Sequence, residues 1–172
     1  METKLLMDVE EYLHTSFDNA DCEYLDGEVV ERNMGEGPHA DIQGELILLL
    51  RQMRKRLGIV VLPEIRIQIH KRRFRVPDVA VWRRGYVIER IPTVPPFLAV
   101  EILSSEDRMV RVQPKVGEYF SIGVEYVWII DPRDAKAVCY SKQMPTGEFC
   151  DVLRTGDPAI EIPLNAVLNP AD

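Results

Sequence analysis

Hydrophobic positions recur along the chain with helical spacing in two long segments. From Ala40 to Leu57 the apolar residues fall three or four positions apart, as in an amphipathic helix. They are Ile42, Leu46, Leu49, Leu50, Met53 and Leu57. Pro38 suits the first turn of this helix and Gly58 suits its end. A second helix is predicted within Arg108–Ile122, and a short one over residues 8–16.

Shorter apolar segments predict strands. They are Glu23–Arg32 (a strand pair around the Asp26-Gly27 turn), Ile59–Ile69, Phe74–Trp82, Phe97–Leu103, Tyr126–Ile130, Ala137–Lys142 and Phe149–Leu153. The continuous apolar run of Phe97–Leu103 is typical of a strand buried on both faces. This order of elements predicts one α/β (α+β) domain over residues 1–172, with a mixed sheet flanked by helices.

The composition excludes a disordered chain and a membrane-spanning one. Of 172 residues, 46% are hydrophobic and 28% are charged, which is enough apolar material for a core. No apolar run approaches the ~20 residues that a bilayer span needs. The first residues lack the basic start and apolar stretch of a signal peptide. We therefore expect a cytoplasmic protein that does not contact a membrane.

Cysteine and histidine spacing gives no sign of a zinc site. The three histidines show no HxxxH or HxH pattern, and the three cysteines form no CxxC pair. Cys139 and Cys150 lie in apolar, strand-like stretches. Such surroundings predict buried, reduced thiols.

Positive charge is concentrated in one part of an acidic chain. The formal net charge is −7, yet residues 51–90 hold twelve basic and three acidic residues, a net of +9. Although the chain as a whole is negative, a local positive field can attract phosphate, because salt screens the more distant negative charges. Candidate nucleic-acid contacts are Arg51, Arg54, Lys55, Arg72 and Arg73. A merely solvated basic surface is the alternative.

Two acidic residues occupy strands where a carboxylate is costly. Asp78 alternates with Val76 and Ala80, and Glu101 lies within the apolar run Phe97–Leu103. Buried carboxylates are usually paired, protonated or bound to a metal. We expect the two to lie on adjacent strands and share one cation. The alternative is that each carboxylate pairs with a nearby arginine or lies at a strand end in contact with water.

These residues belong to a longer pattern that resembles a known family. The matching segments are Tyr24-Leu-Asp-Gly-Glu28, His39, Arg75-Val-Pro-Asp-Val-Ala-Val81, Val100-Glu-Ile-Leu-Ser-Ser-Glu-Asp-Arg108, Lys115 with Tyr119, and Gly123-Val-Glu-Tyr-Val-Trp-Ile-Ile-Asp-Pro132. Together, in this order, they resemble the Uma-two-like branch of restriction endonucleases in the PD-(D/E)XK nuclease superfamily. The resemblance implies a restriction-endonuclease-like core.

The resemblance also implies Mg²⁺- or Mn²⁺-dependent hydrolysis of phosphodiester bonds in DNA. Asp78, Glu101 and the backbone carbonyl of Ile102 would bind the metal ion. The superfamily's lysine normally follows the second acid by two residues, where this chain has Leu103. In this branch the lysine is expected on the following helix, and Lys115 falls there. Pro114 beside it predicts a kink or a restart of that helix.

Several roles remain open at this stage. Glu45 on the first long helix is the best candidate for a further acid, Glu28 is a rival, and His39 is as consistent with capping the helix as with catalysis. A homodimer is expected because cutting both DNA strands calls for two sites. The alternatives to an endonuclease are a catalytically inactive nuclease fold that binds DNA or a protein, and a structural module.

Overall fold

The computed structural model describes residues 5–17, 22–32, 36–105, 107 and 109–169. The helices are α1 (Val9–His14), α2 (Gly37–Leu57), α3 (Met109–Ile122) and α4 (Asn165–Leu168). The strands are β1 (Leu5–Leu6), β2 (Cys22–Leu25), β3 (Glu28–Glu31), β4 (Ile59–Pro63), β5 (Ile67–His70), β6 (Arg73–Arg75), β7 (Val79–Arg83), β8 (Leu98–Ile102), β9 (Tyr126–Asp131), β10 (Lys136–Ser141), β11 (Met144–Phe149), β12 (Val152–Arg154) and β13 (Glu161–Pro163).

A six-stranded mixed sheet forms the centre of the fold, in the order β11-β10-β9-β8-β7-β4. β8 and β9 run parallel, and the other neighbouring pairs of this sheet are antiparallel. Parallel neighbours need a crossover connection, which α3 supplies between β8 and β9. The sheet is therefore mixed and flanked by helices, as the sequence predicts.

The two faces of β8 pack against different layers. Leu98, Val100 and Ile102 belong to the core cluster that contains the apolar stripe of α2. Ala99 and Leu103 belong to the cluster formed with α3. Because side chains alternate along a strand, Glu101 lies on the α3 side. This alternation is what brings residues of α3 to Glu101.

Helix α2 follows its predicted pattern closely. Ile42, Leu46 and Leu50 are buried at intervals of four residues. Gly58 ends the helix in the left-handed conformation, with φ of 64°, and its N–H donates to the carbonyl of Arg54. The helix packs on the central sheet, and its N-terminal part lies near the start of β7, where His39 and Gln43 contact Asp78.

A second sheet, in the order β1-β3-β2-β6-β5, covers the end of the central sheet. β2 and β3 form the predicted hairpin, with Asp26 and Gly27 at positive φ in its turn. Tyr24 and Phe74 of this sheet pack with Tyr12 of α1 in a separate small core. Among the described residues, no helix is long and apolar enough to cross a membrane.

Three predicted strands are interrupted. The segment 59–69 divides into β4 and β5 of different sheets, and Glu64 between them has φ of 45°. The segment 74–82 divides into β6 and β7, because Pro77 between them has no N–H to donate to a ladder. The segment 149–153 divides into β11 and β12, which belong to different sheets.

Two local predictions need correction. Of the kink or restart predicted at Pro114, the restart does not occur, because helix α3 is continuous from Met109 to Ile122 with the proline inside it. Cys139 and Cys150 are not reduced thiols, since the two are joined in a disulfide between the end of β11 and β10. Apolar surroundings suit a half-cystine as well as a thiol, so composition could not separate the two.

Candidate active site

Asp78 and Glu101 face each other across neighbouring strands. Asp78 directly precedes β7 and Glu101 lies in β8, and the register Val79↔Val100 makes the two acids the next opposed pair. Opposed residues of an antiparallel pair point to the same face. Both are buried, with 1% and 4% of their surface exposed. Their predicted positions on adjacent strands are thus what the structure shows.

The Asp78 carboxylate accepts three hydrogen bonds from different elements. Its Oδ1 contacts the Arg32 guanidinium, and His39 Nε2 lies 3.2 Å from the same oxygen. Its Oδ2 accepts from the backbone N–H of Ile102 at 2.5 Å. Burial alone raises the pKa of Asp78, but the hydrogen bond from His39 and the charge of Arg32 outweigh it, so the pKa is lowered. Asp78 is therefore ionised.

Glu101 is held by two residues of α3. Lys115 Nζ donates to Glu101 Oε2 at 3.0 Å, and the Tyr119 hydroxyl donates to Oε1 at 2.5 Å. Lys115 and Tyr119 are four residues apart and so lie on the same face of the helix. Burial raises the pKa of Glu101, as do the charges of Asp78 and Glu23, despite the attraction of Lys115. The ionised form of Glu101 is thus disfavoured, chiefly by its burial.

Lys115 bridges two buried acids. Its Nζ is 3.0 Å from Glu101 Oε2 and also 3.0 Å from Glu23 Oε1. Burial lowers the pKa of Lys115, but these two carboxylates raise it to about 12. The ammonium group therefore stays charged at neutral pH. It points toward Glu101, one of the two acids expected beside the displaced lysine, and toward Glu23.

Glu23 connects the site to a chain of ion pairs. Arg75 Nη1 lies 2.6 Å from Glu23 Oε2, and Arg75 Nε lies 2.6 Å from Glu118 Oε2. Arg73 Nη1 is 2.6 Å from Glu118 Oε1 and also pairs with Asp26. Each buried charge in this series of ion pairs has an opposite charge beside it, because an unpaired buried charge is costly.

These groups surround one cleft of about 510 Å³ between the small sheet, α3 and the end of the central sheet. Among the residues that line it are Glu23, Arg32, His39, Asp78, Glu101 and Lys115. Its wall is more polar than apolar. A polar cleft with buried acids on one wall and a charged lysine beside them suits a phosphate-containing substrate and a cation.

Comparisons with known proteins point to one family. The family model "Uma2: Putative restriction endonuclease" matches residues 9–166, most of the chain. The chain belongs to this family. A crystal structure of a putative nuclease belonging to DUF820 from Anabaena variabilis ATCC 29413 has the same fold. The TM-score is 0.81 at 20% identity, over 94% of this chain and 97% of that one. No curated protein matches the sequence.

The Uma2 assignment confirms the resemblance read from the sequence, and the structural neighbour confirms the fold class. Two acids proposed as further members of the site lie elsewhere in this Uma2 chain. Glu45 follows Gln43 by two residues, which puts it roughly opposite on α2, and Gln43 is the residue that faces Asp78. Glu28 lies four residues before Arg32 along the strand direction, about 13 Å away. Neither residue lines the cleft.

The structure brings two unpredicted residues into the site. Glu23 and Arg32 lie on the strand pair β2–β3 and at its end, and both line the cleft. Glu23 lies between the apolar residues Cys22 and Tyr24 at the start of a predicted strand, which is a weaker signal than that of Asp78, because adjacent residues of a strand point to opposite faces. Arg32 carries no comparable sequence signal, because its partners come from other parts of the chain.

The predicted basic contacts fall into two groups. Arg51, Arg54 and Lys55 are exposed on the last turns of α2. Arg51 follows His39 by twelve residues, so it lies about 18 Å from the site along the helix axis. Arg72 is exposed and donates to the carbonyl of Asp26, whereas Arg73 is engaged by Glu118 and Asp26. Arg73 is therefore the least available of the five.

The residues present fit a hard divalent cation in their donor chemistry. Carboxylate and carbonyl oxygens are the ligands that Mg²⁺ prefers, and Asp78, Glu101 and Ile102 supply them at one edge of the sheet. Burial chiefly raises the pKa of Glu101 and the charges of Asp78 and Glu23 add to this, so a cation beside these acids would favour the ionised form. Across the described residues, no cluster of three His, Cys, Asp or Glu side chains is arranged to hold a metal ion. Arg32, His39 and Lys115 engage the two carboxylates instead.

Proposed function

We propose that this Uma2-family chain is a metal-dependent DNA endonuclease whose active site is the cleft around Asp78 and Glu101. One observation carries the proposal. Two buried carboxylates stand opposed on neighbouring strands, and a charged lysine from the crossover helix is 3.0 Å from one of them. The family description supports phosphodiester hydrolysis in DNA.

Asp78, Glu101 and the backbone carbonyl of Ile102 would hold Mg²⁺ or Mn²⁺. When bound, the ion would polarise the scissile phosphate and lower the pKa of an attacking water. The backbone N–H of Ile102 orients Asp78, and Tyr119 orients Glu101. Both acids are therefore fixed before substrate enters, which spares the site a reorganisation during the reaction.

Lys115 is proposed as the catalytic lysine, acting as a charge rather than as a base. With its pKa raised to about 12, it does not give up a proton near neutral pH. Its ammonium would instead neutralise the negative charge that develops on the phosphate. Glu23 is proposed as a positioning residue, because it is a second carboxylate 3.0 Å from Lys115 Nζ. Leu103, which takes the superfamily's usual lysine position, is buried against α3 and cannot replace it.

A catalytically inactive protein that binds DNA or a partner through the same fold is the second candidate. A specific observation favours it: the carboxylates of the site already have basic partners within the protein. Such a self-neutralised site is stable without a metal ion. The two candidates differ in whether a divalent ion binds and whether cleavage depends on it.

The test is Mn²⁺ binding by calorimetry, together with cleavage of supercoiled plasmid DNA in Mg²⁺ or Mn²⁺. Asp78→Asn removes a proposed ligand charge and should reduce cleavage by more than about 100-fold and weaken Mn²⁺ binding. Glu45→Gln is the matched control, because it removes one acid outside the cleft, and it should leave both unchanged. Wild-type protein that neither binds Mn²⁺ nor cleaves DNA would support the inactive-fold candidate.

A further inference from the structure

Three donors within the protein already engage the Asp78 carboxylate. Oδ1 contacts Arg32 and His39, and Oδ2 accepts from the N–H of Ile102. Among these donors, Arg32 is the one permanent full charge. The His39 ring is charged only when protonated, and the third donor is a neutral backbone amide. The guanidinium thus supplies the positive charge that a metal ion would otherwise supply.

Arg32 lies where the negative charge of the site converges. Its side chain is only 15% exposed, and its Nη1 is 3.7 Å from Glu64 in addition to the contact with Asp78. Burial lowers the pKa of Arg32, but Asp78, Glu101, Glu23 and Glu64 together raise it above its ordinary value. Two of these four acids are the proposed metal ligands. The electrostatic position of the guanidinium is therefore the one that a bound cation requires.

Arg32 and a divalent cation would compete for Oδ1 of Asp78. Magnesium needs ligand oxygens at about 2.0–2.1 Å, so an ion on this oxygen would lie close to the guanidinium that already contacts it. Their like charges repel strongly in a buried site. Arg32 follows the last residue of β3, and the cleft that its side chain lines gives it space to withdraw. Occupation by one would therefore disfavour the other.

We infer that Arg32 is an internal counter-ion that occupies the cation position at Asp78 in the metal-free protein and is displaced when the metal binds. This inference rests on the proposed metal-dependent function. Its consequence is a penalty on metal affinity, because only the fraction of molecules with Arg32 withdrawn can bind. Arg32 is thus a positioning residue that sets the metal concentration at which the site fills.

Mn²⁺ titration of the full-length chain by calorimetry tests this directly, without reference to activity. If Arg32 occupies Asp78 in nine molecules out of ten or more, Arg32→Gln should bind Mn²⁺ about tenfold more tightly or better. Arg32→Lys keeps the positive charge and should stay within about threefold of wild type. Arg83→Gln is the control, because it removes an arginine that pairs with the acid Glu125 away from the cleft. It should leave Mn²⁺ affinity unchanged.

Thermal denaturation guards against a trivial loss of folding. Removing Arg32 leaves a buried carboxylate short of a counter-ion, so the metal-free Arg32→Gln protein should melt at a lower temperature. Saturating Mn²⁺ should restore its melting temperature more than it raises that of wild type. A variant that stays unfolded even in Mn²⁺ would show that Arg32 is purely structural and would overturn the inference.

The outcomes separate the inference from the function on which it rests. Tighter binding in Arg32→Gln, including binding where wild type shows none, supports the inference. Equal or weaker binding in Arg32→Gln, with clear binding by wild type, overturns the role of Arg32 and leaves the metal site standing. An absence of Mn²⁺ binding in both proteins contradicts the proposed metal dependence itself.

Discussion

Charged side chains in the interior of this protein are arranged in alternation. Lys115 stands between Glu101 and Glu23, and Arg75 stands between Glu23 and Glu118. A buried charge without a partner costs several kcal/mol, so each member of such a chain depends on its neighbours. This series of ion pairs links the proposed catalytic lysine to the surface of the small sheet. The contribution of Glu118, its outer acid, can be measured from the pH dependence of stability.

Glu118 should contribute to stability at neutral pH and lose that contribution in acid. Burial raises its pKa, but the hydrogen bonds and charges of Arg75 and Arg73 lower it below the ordinary value of 4.5. A lowered pKa in the folded state stabilises the protein above pH 4.5, and this stabilisation is lost as the pH falls through the folded-state pKa. Glu118→Gln should therefore cost about 1.5–3 kcal/mol in free energy of unfolding at pH 7.

Urea unfolding of wild type and Glu118→Gln between pH 7 and about pH 2 measures this difference. The difference in free energy of unfolding between the two proteins should become smaller as the pH falls. Glu161→Gln is the control, since its ion pair with Arg154 is exposed and should be worth less than about 1 kcal/mol. If wild type and Glu118→Gln differ by the same free energy of unfolding at both ends of the pH range, the role assigned to Glu118 is contradicted.

Among the secondary-structure elements, the sequence predicted those helices and turns that depend on the local pattern of residues. The apolar spacing of α2, its Gly58 end and the Asp26-Gly27 hairpin are local features, and the structure has them. The split of 59–69 between two sheets depends instead on which distant strand each half pairs with. The same holds for Arg32, whose partners Glu64 and Asp78 are more than thirty residues away. Periodicity carries no information about such pairings.

The buried stripe of α2 makes a direct prediction about stability. Leu46 is fully buried against the central sheet, whereas Leu48 on the same helix is 50% exposed. Leu46→Ala should lower the free energy of unfolding by about 2–5 kcal/mol, because it leaves a cavity. Leu48→Ala should change it by no more than about 0.5 kcal/mol. Chemical denaturation of the two variants compares them, and similar losses would mean that α2 packs differently.

For the whole molecule, we propose that the exposed basic residues at the end of α2 contact DNA. Replacing Arg51, Arg54 and Lys55 together with Gln should weaken DNA binding and flatten its dependence on log salt by up to about one unit per lost phosphate contact. Fluorescence anisotropy at several salt concentrations measures the slope. The control replaces Lys136, Lys142 and Arg154, which are exposed on other elements. An unchanged slope in the α2 variant would mark that surface as merely solvated.

The predicted homodimer stays a prediction at this scale. β11 is an edge strand of the central sheet, and its Phe149 is 76% exposed. An exposed edge with an apolar side chain is a surface on which a second copy could pair.

We propose that Asp78, Glu101 and Lys115 hydrolyse DNA together, and the rate of plasmid cleavage by Lys115→Ala tests this most directly. Lys115 is the counter-ion of two buried acids, so the assay must be run where circular dichroism shows the variant folded. Removing its charge should lower the cleavage rate by about 10²–10³ with DNA affinity retained. Folded Lys115→Ala that cleaves DNA at the wild-type rate would contradict the account.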